Sequence, residues 1–234
     1  ADFRFETFQA KIENTMEYSG ENWENYLTTG LQYTHLDRQL ALRSTGAQAE
    51  GVDQKLGIYL QNEFIWDEKL TLIPGVRIDW RKMNPADDVV TGFATGAVSV
   101  DDVAISPKIA ALYKLNDNFS VFGSYAHTER FATLDEEFDY RTGATQGFID
   151  PEKSDNFEIG FAVSQNDIFR SDDSLQLKAT AFYNSIDGYI SRSLVASSRG
   201  PGPGPALLFF GDFSLYGGEL EVAYDSETWF ANLG

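Results

Sequence analysis

Three patterns in the sequence predict an all-β fold, an antiparallel transmembrane β-barrel represented by about ten strands of its wall. Large apolar residues alternate with small or polar ones in run after run. The links between runs alternate between short and long, and charges are crowded onto one of the two faces. Period-2 alternation places successive side chains on opposite faces of a strand. A wall that is apolar on one side and polar on the other fits lipid outside and a wet lumen inside, with short periplasmic turns and long extracellular loops. A soluble β-sandwich with its apolar faces packed inward is the competing reading. It gives no use for long loops gathered on one edge, nor for Trp, Tyr and Phe near strand ends, where a membrane wall carries its aromatic girdles.

The elements follow in order. Thr7 to Tyr18 sets Phe8, Ala10, Ile12, Met16 and Tyr18 against Gln9, Lys11, Glu13 and Glu17. After a short turn at 19–22, a strand near Asn25 to His35 alternates Leu27, Leu31 and Tyr33 with Thr28, Gln32 and Thr34. A polar link, Leu36 to Asp53, leads to the cleanest run, with Leu56, Ile58, Leu60, Phe64 and Trp66 opposite Lys55, Gly57, Tyr59, Gln61 and Glu63. Asp67-Glu68-Lys69 turns the chain into Leu70, Leu72, Val76, Ile78 and Trp80, which oppose Thr71, Arg77, Asp79 and Arg81. An acidic link, Lys82 to Asp102, precedes the strand Val103 to Lys114. Pro74 and Pro107 each remove a ladder donor, and Gly75 beside Pro74 suggests a bulge.

The central stretch, Asn116 to Gly160, opens on the turn Asn116-Asp117-Asn118. Phe119, Val121, Gly123 and Tyr125 then share one face, and Ser120, Phe122, Ser124 and Ala126 the other. Beyond an acidic loop, Phe157, Ile159, Phe161 and Val163 oppose Ser154, Asn156, Glu158 and Gly160. A link at 165–174 leads to Leu175, Leu177, Ala179, Ala181 and Tyr183 against Gln176, Lys178, Thr180 and Asn184. The link Ser191 to Asp212 holds a Gly/Pro tract, 199–205, whose composition argues against helix or central strand. Leu207 to Phe210 beyond it reads either as an apolar patch for ligand or, preferably, as the point where the next strand enters the membrane. Ser214 to Tyr224 and a run from Thr228 complete the chain.

Composition narrows the function. A net charge of −18 argues against binding a phosphate backbone. No cysteine is present, which excludes disulfides and thiol chemistry. No run reaches the ~18 apolar residues of a transmembrane helix. The start at Ala1 shows no signal-peptide pattern, so a targeting segment is expected to be removed or to lie outside this chain.

Several segments carry a resemblance. Tyr125-Ala-His-Thr-Glu-Arg-Phe-Ala-Thr-Leu-Asp-Glu-Glu-Phe138 resembles the segment of TonB-dependent outer-membrane receptors that holds a FRAP-type box followed by Leu-Asp-Glu. Leu72 to Asp79 is similar to that family's "TPGLRYD" strand and Ile105 to Ala110 to its "SPKLGL" strand. Asp150 to Gly160 is similar to "LKPEKSDNYELG", and Leu215 to Glu221 to "IYGVELE". They occur in the family's order, with both prolines where the family places them. The box itself reads Glu129-Arg130-Phe131-Ala132, without the family's proline. The resemblance implies a closed barrel of twenty-two strands around a plug, of which residues 1–234 would be a barrel fragment towards the C-terminal end, with neither plug nor TonB box present.

What the resemblance implies about function is active, TonB-dependent uptake of an iron chelate, a ferric siderophore or haem, across the bacterial outer membrane. The ligand would bind among the long loops, and the TonB complex would engage a region outside this chain. A passive porin-like channel and a receptor that docks a partner protein are the alternatives. No enzymatic arrangement stands out: the two histidines are far apart and lack a Ser or Asp at catalytic spacing, and no catalytic, cofactor or metal residue is assigned. The pairs Asp87-Asp88, Asp101-Asp102 and Glu136-Glu137 read as solvated loop charges, with calcium ligation as the sharper alternative. Arg130, Tyr140 and Arg141 are the candidate ligand-binding residues. Haem receptors of the family often use a histidine, and His127 adjoins the box, but parity puts it on the apolar face with Tyr125, pointing outward at the rim, while Arg130 points into the lumen.

Overall fold

A computed structural model describes residues 3–40, 50–86, 99–138, 149–196, 203–226 and 228–234. Among them are ten strands: β1 (Phe3–Ser19), β2 (Trp23–Leu40), β3 (Gly51–Trp66), β4 (Leu70–Pro85), β5 (Val100–Lys114), β6 (Phe119–Arg130), β7 (Glu152–Asn166), β8 (Ser174–Ala196), β9 (Pro203–Asp225) and β10 (Phe230–Leu233). One helix, α1 (Leu134–Phe138), stands between β6 and β7. The strands form a single antiparallel sheet in sequence order, each paired with the strand before it. In such a meander every second connection lies at the same end. The strand ends joined by the longer links therefore gather at one rim, and the short turns at the other.

The faces sort as the alternation requires. Ile12, Ile58, Leu60, Ile105, Ile109 and Ile159 stand on one side with 44 to 70% of their surface exposed. Apolar groups left open in this number need a cover other than water, and a bilayer supplies it. Tyr18, Trp23, Trp66 and Tyr113 lie at the short-turn end of this face, while Trp80, Phe157, Tyr183 and Tyr216 mark its other border.

The short turns are built from local chemistry. Asp67 and Glu68 both take positive φ, 51° and 55°, and the Lys69 amide donates to the Trp66 carbonyl at 3.0 Å. This is the primed hairpin turn whose twist matches that of its strands. Asn116 Oδ1 accepts the amides of Asn118 and Phe119, both at 2.9 Å. Between β7 and β8, Asp173 accepts the amides of Ile168, Phe169 and Arg170 and the Tyr224 hydroxyl.

Several expectations are corrected. β3 and β4 keep one register on both sides of Pro74, from Gln61↔Gly75 to Phe64↔Leu72, so no bulge forms. The ladder is interrupted and then resumes. The links of 36–53 and 82–102 are shorter than expected, because pairing continues through polar residues above the membrane band, as in Asp37↔Val52 and Arg81↔Asp102. Part of the Gly/Pro tract is strand after all: β9 starts at Pro203, opposite Ala196. A first strand residue needs no ladder donor, which makes room for proline there. Leu207 to Phe210 pair with Ile190 to Ser193, beyond the last pair of β7 with β8 at Lys153↔Asp187. That places them above the membrane band rather than at its border. With 23 residues each, β8 and β9 reach roughly 75 Å at strand rise, far more than a bilayer needs, so their far ends form an arm beyond the rim.

Candidate functional site: the mouth of the lumen

The inner face carries paired charges. Lys11 meets Glu13 at 2.9 Å, and Glu13 also accepts the Tyr59 hydroxyl. Arg77 binds Asp79 through two bonds of 2.6 Å and donates to Gln32 at 3.3 Å. Gly57 leaves room for the pair in this position, since a Cβ there would meet the tips of the Arg77 and Asp79 side chains. A hollow of about 480 Å³ runs along this wall between Tyr59, Arg77, Lys108 and Thr128. The larger hollow of about 860 Å³ is almost wholly apolar. It lies over Ala111, Gly123 and Ala181 on the outer face, between bulkier Tyr113, Ile159 and Phe161, so it belongs to the lipid-facing wall and not to a ligand path.

Above these pairs the chain turns inward. β5 and β6 pair only as far as Lys108↔Ala126. Past that point Pro107 has no N–H to offer, and side chains take over. Glu129 accepts the Ile105 amide at 3.4 Å, and its own amide donates to Ser106 Oγ at 3.3 Å. Released from the ladder, the chain after Arg130 folds over the inner faces of β3 and β4. The Phe131 ring lies 5.5 Å from the Arg81 guanidinium and 5.9 Å from Lys55 Nζ, within cation–π reach. Leu134 packs with Met83 and Val100, and Ala132 packs with Ile149 and Ile190.

α1 is short, but its start is well made. Thr133 Oγ1 accepts the Glu136 amide at 3.4 Å, and Glu136 Oε2 accepts the Thr133 amide at 2.6 Å. This reciprocal pair is a capping box, and its Thr-x-x-Glu signature was open to view in the sequence. Glu136 Oε2 also accepts from Arg130 Nη1 at 3.1 Å, while Arg130 Nη2 donates to Glu152 at 3.0 Å. Glu152 in turn accepts the Ile190 amide at 3.0 Å. Arg130 thus joins β6, α1 and β7, with 41% of its side chain still exposed.

Beneath α1 lies a second group of charges. Arg81 is fully buried and forks onto Asp53 at 3.0 and 3.2 Å. Glu137 is fully buried beside it, and among the described residues neither of its oxygens nor Arg81 Nη1 meets a hydrogen-bonding side chain. Burial pushes the Glu137 carboxyl up to about 7; the Arg81 charge and the nearby Ile149 amide oppose the shift, and Asp102 and Glu136 add to it. This corrects the reading of Glu136-Glu137 and Asp101-Asp102 as solvated loop pairs: Glu137 is interior, and both aspartates belong to β5.

His127 keeps the parity expected of it. Its Nδ1 lies 2.9 Å from Asp155, the same carboxylate that accepts the Tyr125 hydroxyl at 2.8 Å, and its Nε2 lies 3.4 Å from Glu129. All of these residues share the outward face. Tyr140, Arg141 and the pair Asp87-Asp88 lie outside the described residues. Among the described residues, no group of His, Asp or Glu side chains converges as a metal site.

A sheet with a membrane-facing outer side and a charged inner wall, with a capped segment folded into the mouth, defines part of an outer-membrane β-barrel. The family described as "TonB dependent receptor-like, beta-barrel" matches residues 2–234, and the chain belongs to that family. It is 24% identical over 229 residues to the hemin receptor of Yersinia enterocolitica, covering 91% of this chain and 31% of that protein. It is 29% identical over 143 residues to the ferripyoverdine receptor of Pseudomonas aeruginosa, covering 59% of this chain and 16% of that one. Among solved structures, the Serratia marcescens hemophore receptor HasR, a double mutant in complex with its hemophore and heme, superimposes with a TM-score of 0.82. That match has 19% identity and covers 98% of this chain and 41% of the receptor. The chain therefore spans less than half the length of these relatives.

Proposed function

We propose that this chain is the wall of a larger, plugged barrel that takes up an iron chelate, a ferric siderophore or haem, with energy delivered through the TonB complex to a region outside these residues. The family match over residues 2–234 carries this reading, and the hemin and ferripyoverdine receptors among its relatives support the class of cargo. Arg130, with Tyr140 and Arg141 in the link above, is proposed to meet the chelate at the mouth. His127 is not assigned as a haem ligand, because its ring is held between Asp155 and Glu129 on the outward face.

The test uses the full-length receptor in its own outer membrane, with iron-59 uptake from ferric siderophores and from haem. Uptake that stops when the proton gradient is collapsed supports the proposal. Uptake that persists without the gradient identifies a passive channel, and binding of an intact partner protein with no affinity for free chelate identifies a docking receptor.

A further inference from the structure

The capped segment at the mouth carries a buried acid, Glu137, that meets no hydrogen-bonding side chain among the described residues. Glu137 is wholly inside, its carboxyl oxygens find no side-chain donor among the described residues and only the Ile149 amide nearby, and it faces charges from the elements around it. β4 presents Arg81, whose guanidinium is already forked onto Asp53 of β3. Lys55 of β3 lies 3.6 Å from that same Asp53. β5 presents Asp102, near which Asp101 and Asp150 add further negative charge. α1 itself contributes Glu136, whose Oε2 is occupied by Arg130 and the Thr133 amide. The lead into β7 offers only the Ile149 amide. One guanidinium therefore stands among several carboxylates. A neutral Glu137 can remain in such a place, whereas an ionised one is a buried charge offset only by the Arg81 guanidinium that Asp53 already shares.

We propose that Glu137 is a proton-binding latch: protonated, it lets the Phe131–Phe138 segment lie closed on the inner wall, and ionised, it lifts that segment off and widens the mouth. The segment is held by Leu134 on Met83 and Val100, Ala132 on Ile149 and Ile190, Phe131 over Arg81 and Lys55, and the Arg130–Glu136 pair, few enough contacts for one buried charge to shift its balance. The latch is independent of which ligand is carried. Because the closed state holds the proton more tightly than a solvated glutamate would, closing is favoured at acid pH and weakens as pH rises. With the carboxyl moved from 4.5 to about 7, the ratio of closed to lifted segment falls roughly tenfold per pH unit across that window, roughly 300-fold in all.

Hydrogen–deuterium exchange of the 131–138 amides in the full-length receptor tests the latch, with wild type and Glu137→Gln compared at each pH so that the intrinsic dependence of exchange on pH cancels. Protection in the wild type is expected to lie roughly tenfold below that of Glu137→Gln at pH 5.5 and roughly 300-fold below it at pH 8.5, with the fall levelling off near pH 7. A ratio that stays constant from pH 5.5 to 8.5 overturns the proposal. Asp102→Asn supplies a second test without altering α1. Removing that repulsion moves the pH at which the wild-type fall levels off to a lower value, and a levelling-off point that does not move also overturns it.

Discussion

Arg130 holds two carboxylates at once, Glu136 on α1 and Glu152 on β7. An anionic chelate would have to compete with them or use the exposed edge of the guanidinium. Replacing it with alanine removes a charge-assisted donor worth roughly 1.5–3 kcal/mol. Arg130→Ala in the full-length receptor is therefore expected to weaken chelate binding by about ten- to a hundredfold, measured by equilibrium binding of ferric siderophore or haem. His127→Ala is expected to leave that affinity within about twofold, because the ring faces outward. Loss of the haem Soret shift in His127→Ala alone would contradict this assignment. The direction of His127 was legible in the sequence, since parity along one strand is a local property. Its Asp155 partner was not, because that residue arrives from a neighbouring strand. Glu137 was misread for a similar reason: an acid beside another looks solvated until Arg81 and Asp102 are brought against it by other strands.

Among the elements, the turns hold the most testable chemistry. Glu68 sits at φ 55°, a conformation that costs a residue with a Cβ about 1 kcal/mol and glycine nothing. Glu68→Gly is expected to raise the unfolding midpoint of the refolded receptor in urea by about that stability. The Asp173 turn should be sensitive to acid. Burial raises its carboxyl, but the Tyr224 hydroxyl and three backbone amides outweigh that and hold it below the ordinary 3.8. Its contribution is present above that value and is lost as pH falls through the lower folded value. Proteolysis at 167–173 should therefore speed up on acidification in the wild type, and in Asp173→Asn it should be fast already at neutral pH. Strand positions within the membrane band were readable because one face had to be apolar. Strand ends were not, since above the band both faces are polar, as at Asp37, Arg38, Asp53 and Gln54, and alternation no longer marks a face.

At the scale of the whole sheet, lipid exposure makes the two faces unequal in what they tolerate. Ile58 and Ile78 occupy the outer face and pair directly across β3 and β4, whereas Gln61 borders the inner hollow. Ile58→Arg or Ile78→Arg should cost roughly 2–4 kcal/mol near the bilayer midplane and reduce the heat-modifiable band in outer membranes, while Gln61→Arg leaves it intact. Equal yields of the three variants would remove the basis for assigning the faces.

Because every strand pairs with its immediate predecessor, each ladder can form as soon as its own strand is present, while the mouth segment reaches back to β3 and β4. Loop closure is cheap and contact order low, which favours rapid zippering one hairpin at a time. Such growth also passes errors forward. A slip of one residue in any hairpin would turn a whole strand inside out, offering its charges to lipid and its aromatics to water. The tight turn at Trp66–Lys69 fixes the frame before β5 is added, so the short loops serve as the proofreading points of assembly.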